Sequence, residues 1–335
     1  LLEPAKRRAE IDEPLDREPA MALFAEIEPL DLTSHLRAFI GRHTDKNFDW
    51  DAFPGTAGFP ELQRAQMRYI GAGGSPKADD PSTLKPGHFT LSLVHQPVGK
   101  YAACHSHEVV EHFLVLSGVL TVGWAWGDEV IEARLGPMDM VLNEVGRPHG
   151  FRNDGVEPVL MSISVGSGMP KPPAYICHPR DHDPAIARRF GASAGKTRAF
   201  DPHSDDPRQR QFARHIVRLA ARRPAWGAGF ARSVYIGEGG APPGKYRMDK
   251  IHLPSGVAVR SYARLVEDVY FVLDGCITVG WEEAGYAVEE RLGPRDAVFN
   301  PAGRVHYFRN DDAEDATFMM LVGTAEAEDI RFHSA

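Results

Sequence analysis

The sequence predicts an all-β protein made of two tandem jelly-roll β-barrels with peripheral helices. Two observations carry this. Short alternating segments such as HFTLSLV, EHFLVLSGVLTVGWAW, VLMSISVG and TFMMLVGT read as strands, with Gly and Pro between them. The chain also repeats itself. Residues 135–154 (LGPMDMVLNEVGRPHGFRND) and 292–311 (LGPRDAVFNPAGRVHYFRND) are identical at 13 of 20 positions, at an offset of 157. That period is too long for a solenoid, so each copy is a complete unit and its strands must close a core by themselves.

The elements follow in order. Residues 1–66 form an N-terminal extension in which Leu30 to His43 has helical spacing after a Thr/Ser cap signal. Residues 67–166 form the first barrel, with a tight turn expected at Ser117-Gly118. Residues 167–231 are a linker rich in Pro, Asp, His and Gly, followed by a second basic helix over Gln209 to Arg223. Both helices are expected to lie outside the barrels as solvated covers. Residues 232–335 form the second barrel. Upstream, Tyr69-Ile-Gly-Ala-Gly-Gly74 matches Tyr235-Ile-Gly-Glu-Gly-Gly240, with nine extra residues in the first copy.

Composition sets limits on function. Hydrophobic residues make up 43% of the 335, enough for two cores, and a net charge of −8 argues against a nucleic-acid backbone as partner. Cys104, Cys177 and Cys276 are too widely spaced for a disulfide framework or a CxxC metal pair, which fits a reducing cytoplasm. The segment LLEPAKRRAEIDEP lacks the apolar core of a signal peptide. The longest apolar stretch, Phe113 to Trp126, is too short to span a bilayer. A soluble cytoplasmic protein with no membrane partner is expected.

The chemistry gathers in the first copy. His105 and His107 are two apart on a predicted strand, so both imidazoles point to one face. Glu111 follows after a span that can turn back onto that face, and His149 begins a later strand. Three imidazoles and a carboxylate suit one divalent ion of Fe, Mn, Co, Ni, Cu or Zn. An isolated HxH on a strand is more often a pair of surface histidines; here Glu111, His149 and flanking glycines accompany it. His178, His182 and His203 lie in the Asp-rich linker, with no strand to aim them, and read as solvated. Cys104, beside His105, points to the other face and reads as a packed thiol.

The run Gly99-x5-His105-x-His107-x3-Glu111-x6-Gly118, followed by Gly146-x2-His149-x3-Asn153, resembles the two motifs of the cupin superfamily. Met138 stands where the family often has Gly, and Glu144 where it often has Pro. The resemblance covers about residues 67–166 and, by duplication, 232–324, so the chain looks like a bicupin. It implies a barrel with a metal in its mouth. It does not specify a reaction.

The second copy is an internal control. The positions of His105, His107, Glu111 and His149 hold Tyr262, Arg264, Asp268 and His306. A guanidinium offers only donors and cannot ligate a cation. The second barrel is therefore expected to hold no metal, with Arg264 paired to Asp268 in its stead. Residues shared by both copies (Trp124, Arg147, Phe151, Arg152 and Asn153, repeated as Trp281, Arg304, Phe308, Arg309 and Asn310) read as structural. Tyr101, Trp126 and Met138, which face Ala258, Glu283 and Arg295 in the alignment, are candidate substrate contacts, although each also fits a packing role.

A live first barrel beside a degenerate second resembles gentisate-type and hydroxynaphthoate-type ring-cleaving dioxygenases. It implies a mononuclear non-haem Fe(II) dioxygenase that cleaves a C–C bond of a small aromatic or enolisable substrate, with dioxygen as co-substrate. Those enzymes generally use three histidines. A fourth ligand in Glu111 resembles the quercetin and acireductone dioxygenases instead, and Glu111 would also serve as catalytic base. Two alternatives stay open. One is a non-redox isomerase, decarboxylase or lyase using Mn, Ni, Zn or Co; the other is a non-catalytic small-molecule-binding bicupin. Exposed strand edges suggest a homo-oligomer.

Overall fold

The computed structural model describes residues 29–73, 75, 77, 80–327, 331 and 332. Each repeat folds into two facing sheets, antiparallel except where Thr197–Ala199 joins Glu129–Leu135 in parallel, because alternating apolar residues on each strand need a second sheet to cover them. In the first barrel one sheet runs in the order Ile216–Val217, Met140–Asn143, Glu111–Ser117, Val159–Val165, Leu91–Gln96, Ala65–Ile70. The sheet facing it runs Ala174–Cys177, Tyr101–Ser106, His149–Arg152, Leu120–Trp126, Glu129–Leu135, Thr197–Ala199. The second barrel repeats this plan, pairing a sheet around Asp268–Asp274 with one around Ile277–Glu283. Gly118 makes the expected turn with φ 79, and its twin Gly275 has φ 68, conformations that glycine adopts without steric cost.

Three cores result. Phe113, Val115, Trp124, Phe151 and Met161 fill the first barrel. Tyr270, Val279, Trp281, Phe308 and Phe318 fill the second. A third joins the barrels across the outer faces of their first sheets, through residues such as Leu93, Leu114, Tyr246, Met248 and Phe271. The strands at this junction are buried on both faces, so that even Ser162 and Ser164 of Val159–Val165 are out of solvent.

The two basic segments differ from expectation. The first is helical over Pro29–Ala38 and the second only over Pro207–Ala213. Each then makes a two-residue strand that adds to the other repeat's barrel. Ile40 pairs with Val298, and Ile216 with Val141. The helices are not solvated covers: Leu32, Leu36 and Phe212 are fully buried, and Phe212 stacks on Trp124 with ring centroids 4.7 Å apart. Arg42 anchors the first arm on the Arg291 carbonyl and on Asp296 at 3.1 Å. Arg218 does the same on the Arg134 carbonyl and on Asp139 at 2.7 Å. The arms are thus part of the duplication and are exchanged between barrels.

The linker differs as well. Ala174–Cys177 and Thr197–Ala199 extend the first barrel's outer sheet. Between them Phe190 lies against Gly123 and Gly150, where any Cβ would collide with its ring. His178 is buried rather than solvated: its Nε2 donates to the Gly55 carbonyl at 2.8 Å, and Phe59 and Tyr175 flank its ring. His182 and His203 are exposed. Among the described residues no helix is long and apolar enough to cross a membrane.

Candidate metal centre

His105 lies one residue before the end of the strand Tyr101–Ser106, His107 follows in the turn, Glu111 opens the next strand, and His149 opens Leu120–Trp126's neighbour, His149–Arg152. A bulge between Ala102 and His105 changes the facing of that strand. Tyr101, Ala103 and Cys104 therefore pack with Cys177 and Phe190 outside the sheet, while His105 turns into the barrel. All four side chains are buried, and one ligand atom from each lies within 4.8 Å of the others. Glu111 Oε2 is 3.0 Å from His149 Nε2, 3.5 Å from His107 Nε2 and 3.9 Å from His105 Nε2. It is the only such group among the described residues.

The far side of the rings fixes the tautomers. His105 Nδ1 donates to the Ala103 carbonyl and His149 Nδ1 to the Arg147 carbonyl, both at 2.7 Å. Their Nε2 atoms then present lone pairs to the centre, as metal-ligating histidines do. Burial lowers His105 to about 4 and also lowers His107, so both stay neutral at physiological pH. For Glu111 burial acts to raise the carboxyl. The surrounding rings, His107 foremost, outweigh it and hold the group well below its usual range. Two inward lone pairs, the His107 imidazole and a carboxylate converge. A divalent cation is the natural occupant of such a donor set.

The second barrel places Tyr262, Arg264, Asp268 and His306 at the matching positions. Arg264 Nε donates to Asp268 Oδ2 at 2.8 Å, as the sequence comparison anticipates, and His306 Nε2 lies 3.1 Å from Asp268 Oδ1. The Tyr262 hydroxyl shares a 2.5 Å hydrogen bond with that of Tyr270, and also donates to Asp268. A guanidinium and two phenols fill the space with their own hydrogen bonds.

The three candidate substrate contacts separate. Tyr101 packs outside the sheet, away from the cluster. Met138 lies at the junction of the barrels, where its carbonyl accepts from the Tyr235 hydroxyl at 2.9 Å. Its φ of 63, repeated by Arg295 at 70, explains why glycine suits this turn. Trp126 sits on the barrel's rim, half-buried, with the Arg147 guanidinium 4.7 Å over its ring. Glu144 replaces proline because its carboxylate holds the second arm: it accepts from Gln211 at 2.7 Å and meets His215 at 2.9 Å.

Two residues near the cluster escaped the sequence comparison, Arg64 and Tyr175. Tyr175 pairs in register with His105, and Arg64 is buried with its charge felt by Glu111. Extending the repeat upstream at its shifted offset aligns Arg64 with Phe230, a change from apolar to charged that marks it. Tyr175 aligns with Phe332 at the unchanged offset of 157, but the copies share no motif there that would mark it.

Residues 92–166 match the family model of the cupin domain. Residues 92–166 are thus a cupin domain, and because the second barrel repeats its plan the chain has bicupin architecture. The oxalate decarboxylase of Lactobacillus farciminis in complex with formate is similar over 88% of either chain, at 13% identity and a TM-score of 0.60. A variant of the oxalate decarboxylase of Bacillus subtilis is similar over 88% of this chain and 79% of its own, at 12% identity and a TM-score of 0.62. A further structure of the Bacillus subtilis enzyme, described for its Mn(II) centres, aligns with 86% of this chain and 78% of its own, at 12% identity and a TM-score of 0.61. At such identities the likeness is one of fold. No curated protein matches the chain in sequence.

Proposed function

We propose that this protein is a metal-dependent bicupin enzyme that acts on a small oxygenated molecule held at one divalent ion in the first barrel. The observation that supports it is the convergence of His105, His107, Glu111 and His149 within 4.8 Å, buried and with two tautomers fixed from behind. Four protein ligands leave two positions of an octahedral ion for substrate or co-substrate. Fe(II) would supply electron transfer to dioxygen, and Mn, Co, Ni or Zn would supply Lewis-acid polarisation. The protein's own share is to orient the ligands, exclude water with Phe113 and Phe151, and keep Glu111 ionised to take a proton from a substrate hydroxyl.

The first reading is Fe(II)-dependent, dioxygen-consuming C–C cleavage. The second is non-redox C–C cleavage, a decarboxylation, and the fold likeness to oxalate decarboxylases favours it. Metal analysis of protein purified without added metal, followed by oxygen uptake and CO2 release on a panel of phenolic, β-diketone and small dicarboxylic substrates, separates them. Iron with oxygen uptake supports the first. Manganese with CO2 release and no oxygen uptake supports the second. Protein that stays metal-free when offered all these ions ends both.

A further inference from the structure

We infer that Arg64 and Tyr175 form a carboxylate-binding subsite beside the metal centre, so that the substrate is a small carboxylic acid. This rests on the metal-dependent reading above and adds the chemical class of its substrate. Arg64 precedes the strand Ala65–Ile70 and sends its guanidinium into the barrel, 5.8 Å from the Phe151 ring and 4.1 Å from that of Phe53. It is 7% exposed; its Nη1 donates to the Leu62 carbonyl at 3.1 Å, and the Tyr175 hydroxyl is a second hydrogen-bond partner. No carboxylate of the described residues forms a salt bridge with it, although Glu111 and the Tyr175 phenol are near enough for their charge to act on it. A buried guanidinium without an anionic partner is costly, and its planar fork matches a carboxylate.

The second barrel shows what the fold itself requires here. Ala65 pairs with His95 as Ala231 pairs with His252, so Arg64 and Phe230 are structural equivalents. Their contacts agree: Arg64 lies 5.8 Å from Phe151, and Phe230 lies 6.0 Å from Phe308. Tyr175 pairs with His105 as Phe332 pairs with Tyr262, with ring centroids at 6.2 Å and 6.4 Å. Both positions are phenylalanine in the barrel that carries Arg264 in place of a ligand, and both are polar in the barrel that has the four donors. The lone methylene of Gly55 completes the site, because a Cβ there would collide with the Tyr175 hydroxyl. Packing is served by phenylalanine; a guanidinium and a phenol serve a ligand that lies against the metal.

The test uses Mn(II)-loaded and metal-free full-length protein, titrated calorimetrically with formate, acetate and benzoate and with the matching neutral amides. Wild type should favour at least one carboxylate over its amide by about tenfold or more, the scale of a charge-assisted pair. Arg64→Phe should abolish that preference with Mn(II) affinity unchanged. Arg64→Lys should recover part of it, and Tyr175→Phe should weaken it several-fold. The Phe variants install the twin barrel's residues; unchanged circular dichroism and melting show that they fold. Wild type that shows no preference in either form, or an Arg64→Phe variant that keeps it, overturns the subsite. Loss of Mn(II) binding by wild type instead overturns the metal reading, while the metal-free titrations still decide the role of Arg64.

Discussion

Arg264 Nε donates to Asp268 Oδ2 at 2.8 Å in the second barrel, at the place where His107 Nε2 and Glu111 Oε2 stand 3.5 Å apart in the first. A covalently attached cation thus occupies the position that a free one would take in its twin. The carboxylate keeps its place in both barrels, and only the source of its counter-charge differs.

Substituting Arg264 by Ala leaves Asp268, fully buried, with hydrogen bonds from His306 and Tyr262 but no guanidinium. Removing one member of a buried ion pair costs about 3–5 kcal/mol. The expected result is a lower urea midpoint with an unchanged metal content in the first barrel. Metal content falling in step with the midpoint would refute the independence of the two sites.

His107→Ala removes one imidazole and leaves three donors, so metal affinity should fall by about 100-fold or more. Mass-spectrometric metal analysis after mild chelation checks this, with wild type retaining its ion. Turnover should vanish together with the metal. A chelated variant that still turns over would place the chemistry elsewhere.

Acid should destabilise the metal-free protein from about pH 6.5 downward. Burial holds His105 at about 4 in the folded state, against 6.5 when free. Between those values the unfolded chain binds more protons, so stability is full above 6.5 and declines as pH falls toward 4. His107 is lowered too, and Glu111, held below its usual range, adds a loss of the same sign at more acid pH. The His105 contribution is on the order of 3 kcal/mol. Melting temperatures at pH 7.5 and 5 should differ less in His105→Phe than in wild type; an equal difference would assign the acid loss to other groups.

Phe212→Ala tests the exchanged arm. Its ring is fully buried on Trp124, so truncation should cost about 3–5 kcal/mol. Because the arm belongs in sequence to the second repeat but covers the first, the loss should appear as hydrogen exchange in Met140–Asn143 and Leu120–Trp126. Exchange confined to the second barrel would contradict the swap.

The sequence alone determined the duplication, the all-β class, the four candidate ligands and the replacement of two of the histidines, one of them by a guanidinium, in the second copy. These are local patterns: strand alternation, turn residues and fixed spacing act over a few residues, and an internal repeat supplies its own comparison. Only tertiary structure decided where the arms go, because two-residue strands such as Ile216–Val217 have no periodicity of their own and exist only against Val141 and Met140. It also drew strands from the linker and buried His178 against Gly55, since Pro and Asp composition says nothing about which edge a segment will meet. Tyr101 and Met138 went astray for a related reason: one bulge and one left-handed residue redirect side chains that simple alternation would send into the barrel. Arg64 comes near Glu111 from a position 41 residues before His105, a proximity that no spacing rule encodes.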